Sequence, residues 1–257
     1  MGWTVLELHE AEVYLFDLDR STPPCYRLPM PSHDELVTRK LARIQETHRM
    51  YPARTALLVI DMQRSFMDPK SSLYVPTAWD ILAPVKGLIQ FCRGAHVPVI
   101  FTEFTSAPEF PNLRKDPFGP EHLVPQPGQQ TGWGMPSGNS LVGASGPESP
   151  GIIDEVKPLP GEVIIRAYGL DKFYGTPLDL VLRSLDIRCL MITGMLADLC
   201  VAATVYAATT REYRVTAITD GITTIWPDIQ KAVFDIFGRK LARLMTADEA
   251  KAELSVK

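Results

Sequence analysis

Cysteine is scarce in this chain and never closely paired: Cys25, Cys92, Cys189 and Cys200 are the only four among 257 residues, with no C-x-x-C spacing. That argues against an oxidising compartment and points to a reducing cytoplasm. Histidine is equally thin. His9, His33, His48, His96 and His122 form neither an Asp-x-His nor a His-x-His pattern, so no catalytic metal or other cofactor is expected. No apolar run approaches the roughly 18 residues of a membrane span, and the opening MGWTVLELHE lacks a basic stretch followed by an apolar core. Lys and Arg concentrate in no short window, and a net charge of −4 leaves no basic footprint for nucleic acid. A hydrophobic content of 46% with 22% charged residues suits one soluble α/β domain with a substantial core.

Short apolar runs at 56–60, 97–101, 163–165, 189–193, 215–219 and, more weakly, 242–245 alternate with helical patterns. Such alternation predicts a parallel sheet covered by helices on both faces. The 79–93 segment carries Ile81, Leu82, Val85, Leu88, Ile89 and Cys92 at helical spacing and meets a breaker at Gly94. Further helices are expected over 177–185, 198–212 and 228–240, and Thr246 with Glu249 matches a capping box that opens a terminal helix. Residues 1–52 read as an added arm: an alternating segment around Val13, Tyr14, Leu15 and Phe16, a Pro-rich stretch, and a helix that Ser32 and Glu35 would box. The main domain then covers 53–257. Within it, residues 105–150 are rich in Pro, Gly and Ser, contain Phe110, Phe118 and Trp133, and read as a lid-like insertion, since loops this long in compact domains tend to be functional or disordered.

Chemistry in open α/β sheets collects beyond the carboxyl ends of the strands. The run CLMITGMLADLC at 189–200 drives an apolar strand through a glycine turn and sets Cys200 at a helix start, where unpaired amides and the macrodipole favour an ionised thiol. A packed, inert Cys200 is the alternative. The first strand ends in Asp61, a carboxylate suited to shuttling protons near a thiol in a partly buried cleft, or else to capping the next turn.

Four fragments in order, LLVIDMQ at 57–63 with Phe66 behind it, PLPGEVII at 158–165, FYGTPL at 173–178 and ITGMLADLCV at 192–201, resemble the isochorismatase-like cysteine hydrolase superfamily. The resemblance spans about residues 54–254. It implies a three-layer α/β/α fold on a six-stranded parallel sheet, homo-oligomers, and an Asp, Lys, Cys triad in which Asp61 and Cys200 fall on the aspartate and the nucleophile. It further implies a cis peptide at 195–196 and an oxyanion hole from the amides of Leu196 and Cys200; one such donor is worth about 10²–10³ in rate. Members usually read Lys-x-x-Tyr-Ser/Asp-Ala-Phe after the third of these strands, and here Ala167 stands in the lysine's place. Lys172, five residues on, is the expected substitute, with Arg166 second; a solvated surface lysine and a site without a cation is the alternative. Nicotinamidases, one branch of the superfamily, bind a metal through an Asp-x-His motif that this chain lacks.

This resemblance implies cleavage of a C–N bond of a small amide or ureido compound through a thioester; by their predicted positions at its rim, Phe66, Trp133, Arg166 and Tyr168 are expected to shape the pocket for a small-molecule substrate. Two alternatives stand beside it. One is vinyl ether hydrolysis, as isochorismatases perform without needing the cysteine; the other is a non-catalytic binding or assembly protein, for which Ala167 is the best argument.

Overall fold

The computed structural model describes residues 31–71, 73–105 and 146–256. Six parallel strands form one sheet: β1 (Thr55–Ile60), β2 (Val99–Phe104), β3 (Val163–Ala167), β4 (Cys189–Met195), β5 (Arg214–Thr223) and β6 (Ala242–Met245). Their order is β3-β2-β1-β4-β5-β6. Every residue of β1 is buried because helices cover both faces, and alternation divides it between two cores. Leu57 and Val59 face a layer with α3 (Leu82–Gly94) and α7 (Ala247–Leu254). Ala56, Leu58 and Ile60 face the layer of α4 (Leu178–Ser184) and α5 (Ala202–Thr210), with α6 (Pro227–Ile236) packed at its edge.

Both capping boxes form: Ser32 and Glu35 open α1 (His33–Thr47), and Thr246 and Glu249 open α7. Several expected boundaries move. α3 begins at Leu82 rather than 79, behind a separate 3₁₀ turn at Pro76–Trp79, and places Pro84 in its first turn, where no backbone donor is needed. Gly94 stays helical, and the chain turns instead at His96, whose φ is 56°. The helix expected over 198–212 starts as a π-helical turn, Ala197–Val201, and continues as α5; that expected over 228–240 ends likewise in a π-helical turn, Phe237–Leu241. Strand β5 runs on to Thr223 because β4 extends to Met195 and keeps pairing with it through a register shift between Ile192 and Gly194.

The strand order reverses direction between β1 and β4, which opens a crevice outside their carboxyl ends. Residues 149–153, where the 105–150 insertion returns, dock there: Ser149 and Gly151 carbonyls accept from the Ser65 and Arg64 amides of the short helix α2 (Arg64–Met67), and Ile153 donates to the Met62 carbonyl. The alternating segment at 13–16 and most of the insertion, Trp133 included, lie outside the described residues. Among those described, no helix is long and apolar enough to cross a membrane.

Candidate active site

Asp61 follows β1 directly, in a left-handed conformation with φ 53°. Across from it, Gly194 on β4 has φ 111°, and a Cβ there would lie 1.9 Å from the Ile60 carbonyl oxygen. Only glycine allows β4 so close to the end of β1. The Asp61 carboxylate is then held from two sides. Thr102 of β2 donates its hydroxyl to Oδ1 at 2.5 Å and accepts the Asp61 amide at 3.2 Å. The Lys172 ammonium stands 2.7 Å from Oδ2, and both side chains are 0% exposed.

Lys172 comes from the loop between β3 and α4, and the loop is tied so that its side chain turns inward. Its amide donates to Thr204 Oγ1 on α5 at 3.3 Å, its carbonyl accepts from Thr176 Oγ1 at 2.6 Å, and Nζ donates back to the Gly169 carbonyl at 3.3 Å. The ammonium also lies 5.1 Å from the centroid of the Phe104 ring. Arg166 takes the other direction. Because β3 runs through Ala167, alternation turns Arg166 outward, where it pairs with Glu103 at 3.2 Å and its side chain is 74% exposed. It does not reach Asp61. Burial works to lower the Lys172 pKa, but the Asp61 charge, joined by Cys200, outweighs it and holds the lysine protonated above its ordinary range.

Cys200 sits in the π-helical turn after β4, 1% exposed, with Lys172 and Asp61 the charged groups that act on its thiol. Burial works here against the activation expected of a helix start. Burial raises the thiol pKa strongly and Asp61 adds to that, while Lys172 pulls the other way without prevailing. The resting sulfur is a thiol in a fully buried site, not a thiolate in a partly open cleft. The peptide between Met195 and Leu196 is cis. After it the Leu196 carbonyl accepts the Leu199 and Val201 amides, and Asp198 turns away from Cys200 to accept the Thr224 hydroxyl at 2.5 Å.

Of the proposed pocket residues, Phe66 is fully buried and stacks on Phe104 at 6.3 Å between centroids, and Tyr168 is half-buried just beyond β3. Sequence reasoning missed Thr102 and Gln63. Gln63 is buried and clamps the end of β2, donating to the Phe104 carbonyl at 2.9 Å and accepting its amide at 2.8 Å. Thr102 was legible only as a lone hydroxyl within an apolar strand adjacent to β1. Among the described residues, no three His, Cys, Asp or Glu side chains gather closely enough to hold a metal ion.

The family model of the isochorismatase domain matches residues 55–249. The chain belongs to the isochorismatase family. Its matched region holds the whole arrangement just described. Among curated relatives of the family, the ureidoacrylate amidohydrolase RutB of Pseudomonas savastanoi pv. phaseolicola is 27% identical over 198 residues, covering 74% of this chain and 80% of that protein. Among solved structures, a cysteine hydrolase from Pseudomonas syringae pv. phaseolicola superposes with a TM-score of 0.66 at 24% identity, over 80% of this chain and 94% of that one. The N-carbamoylsarcosine amidase of Thermoplasma acidophilum does so at 0.56 and 26%, over 76% and 97%. This isochorismatase-family chain thus has amidohydrolases among its relatives.

Proposed function

We propose that the chain is a cysteine amidohydrolase that cleaves a C–N bond in a small amide or ureido compound. The observation that carries this reading is the buried ion pair of Lys172 and Asp61 set against the Cys200 thiol. A buried ion pair is expensive to assemble from water and gives little net stability in return, so its presence beside a thiol suits chemistry better than packing. The RutB relative and the carbamoylsarcosine amidase are named for substrates with ureido groups, which favours that class.

In the mechanism, Asp61 takes the Cys200 proton as sulfur attacks the carbonyl carbon, which matches a thiol that stays protonated until substrate arrives. The oxyanion forms on the amides of Leu196 and Cys200. As the C–N bond breaks, Asp61 returns the proton to the departing nitrogen, leaving the acyl or carbamoyl group on sulfur. Water, deprotonated by Asp61, attacks that thioester carbonyl; the acid product leaves and sulfur recovers its proton. Lys172 holds Asp61 in place through both halves, with Thr102 fixing the other oxygen. Phe66 and Tyr168 border this space as pocket residues; Arg166 serves outside it, on Glu103.

The test is ammonia or amine release from a panel of small ureido and carboxamide compounds by the full chain, paired with intact-mass detection of a substrate adduct. Turnover of at least one member, a transient adduct on Cys200, and a fall of about 10³-fold or more in Cys200→Ala are expected. Turnover that survives in Cys200→Ala would overturn the reading.

A further inference from the structure

At the opposite edge of the sheet from Cys200, the amino ends of β1, β4 and β5 open into a cavity of about 800 Å³. Three arginines stand side by side along its floor. The Arg188 amide donates to the Arg54 carbonyl and the Arg214 amide to the Arg188 carbonyl, each at 2.8 Å, so Arg54 and Arg188 lie opposite each other and Arg214, paired with Cys189, sits one residue further along the next strand. Like charges placed opposite each other across a sheet, as Arg54 and Arg188 are, are destabilising. Among the described residues, one carboxylate pairs with them, Asp186 with Arg54 and, at 3.6 Å, with Arg188, and Glu212 is the one carboxylate in the cavity lining. Arg49 after α1, Arg211 after α5, and Lys240 add to the same lining. Among the described residues, Arg49, Arg211, Arg214 and Lys240 have no carboxylate within 4.0 Å. The summed field is felt by the neighbouring His48, whose pKa is lowered first by burial and then by Arg214.

Complementing helix carboxyl ends explains part of this cluster. Arg211 donates to the Ala207 carbonyl at 3.0 Å, and Arg183, on the last turn of α4, reaches Asp179 and the Arg211 carbonyl. It accounts for Arg54, the last residue of a 3₁₀ turn at Pro52–Arg54, but not for Arg188 and Arg214 at the strand starts. A chain of net charge −4 that gathers this many cations around one ligand-sized space is built to receive negative charge.

We infer that this cavity is a binding site for a small polyanion carrying two or more linked phosphates, separate from the catalytic pocket. The two lie at opposite ends of a six-residue strand, about 20 Å apart. Several cations spread along one wall engage a chain of phosphates better than a single one, and arginine forks suit phosphate oxygens in pairs.

Calorimetric titration of the full chain with sodium tripolyphosphate tests this. One saturable site is expected, weakened by rising salt and bound far more tightly than sulfate or orthophosphate. Arg188→Gln with Arg214→Gln should weaken it at least tenfold while leaving the thermal midpoint equal or higher, because like charges are relieved. Should that pair fail to fold, Arg49→Gln with Lys240→Gln, outside the sheet, is expected to give the same loss. Cys200→Ser should bind as the parent does. No saturable binding, binding indifferent to these arginines, or binding lost in Cys200→Ser would each overturn the inference.

Discussion

Replacing Lys172 by Met keeps the length and volume of the side chain and removes only its charge. Asp61 then faces Met where an ammonium stood, in a space with 0% exposure on both partners. Breaking one side of a buried pair costs about 3–5 kcal/mol, so Lys172→Met is expected to lose that much stability in urea denaturation. Hydrolysis should fall about 10²–10⁴-fold, the usual worth of a group that keeps a proton-transfer partner in position. Arg166→Met removes an exposed cation paired with Glu103 and should leave turnover within twofold of the parent. A variant pair with the opposite ranking would mean that the wrong cation had been chosen. The choice between them was partly legible in sequence: alternation along β3 turns Arg166 outward, but that Lys172 bends back to Asp61 depends on Thr204, a residue 32 positions away.

At the scale of elements, the site depends on how β1 and β2 are fastened beyond their ends. Gln63 does this by bonding both backbone groups of Phe104, the ring beneath Lys172. Gln63→Ala leaves those groups without partners in a partly buried place and is expected to cost about 1–3 kcal/mol, read from the urea midpoint. KM should rise more than kcat falls, because the loosened element borders the pocket and touches no reacting atom. The elements themselves were well marked in the chain. Five of the six strands were found to within a few residues of both ends, and both capping boxes formed where Ser32 and Thr246 announced them. Strand β5 was cut short because Asp220 and Gly221 look like a turn; pairing with β4 overrides that local preference. The π-helical turn at Ala197–Val201 had no signal of its own in the sequence.

Across the whole molecule, buried groups that prefer to keep their protons set the response to alkali. Burial pushes the Cys92 thiol up to about 12 and raises those of Cys189 and Cys200, and Lys172 is held above its ordinary value by Asp61 once burial is overcome. In the unfolded chain these thiols release protons near their ordinary value of 9.0, while in the folded chain they do not. The unfolded state therefore binds fewer protons above that pH, and stability, complete below about pH 9, falls as pH rises further. Each such group contributes a slope of about 1.4 kcal/mol per pH unit. Urea midpoints should drop steadily from pH 9 to 11, and Cys92→Ala, on the face of the sheet away from Cys200, should make that fall shallower without altering turnover.

The chain's own residues determined the α/β layering, the strand count and the candidates Asp61 and Cys200, because those follow from local periodicity and from side chains placed at strand ends. Only tertiary structure decided which cation joins Asp61, that Thr102 holds the carboxylate, and that the thiol rests protonated. Each of these depends on burial and on contact between segments distant in sequence, and neither quantity exists until the sheet has closed. The arginine cluster is the plainest case: Arg54, Arg188 and Arg214 are scattered along a chain with no basic window, and backbone bonds between adjacent strand starts bring them to one edge of the sheet.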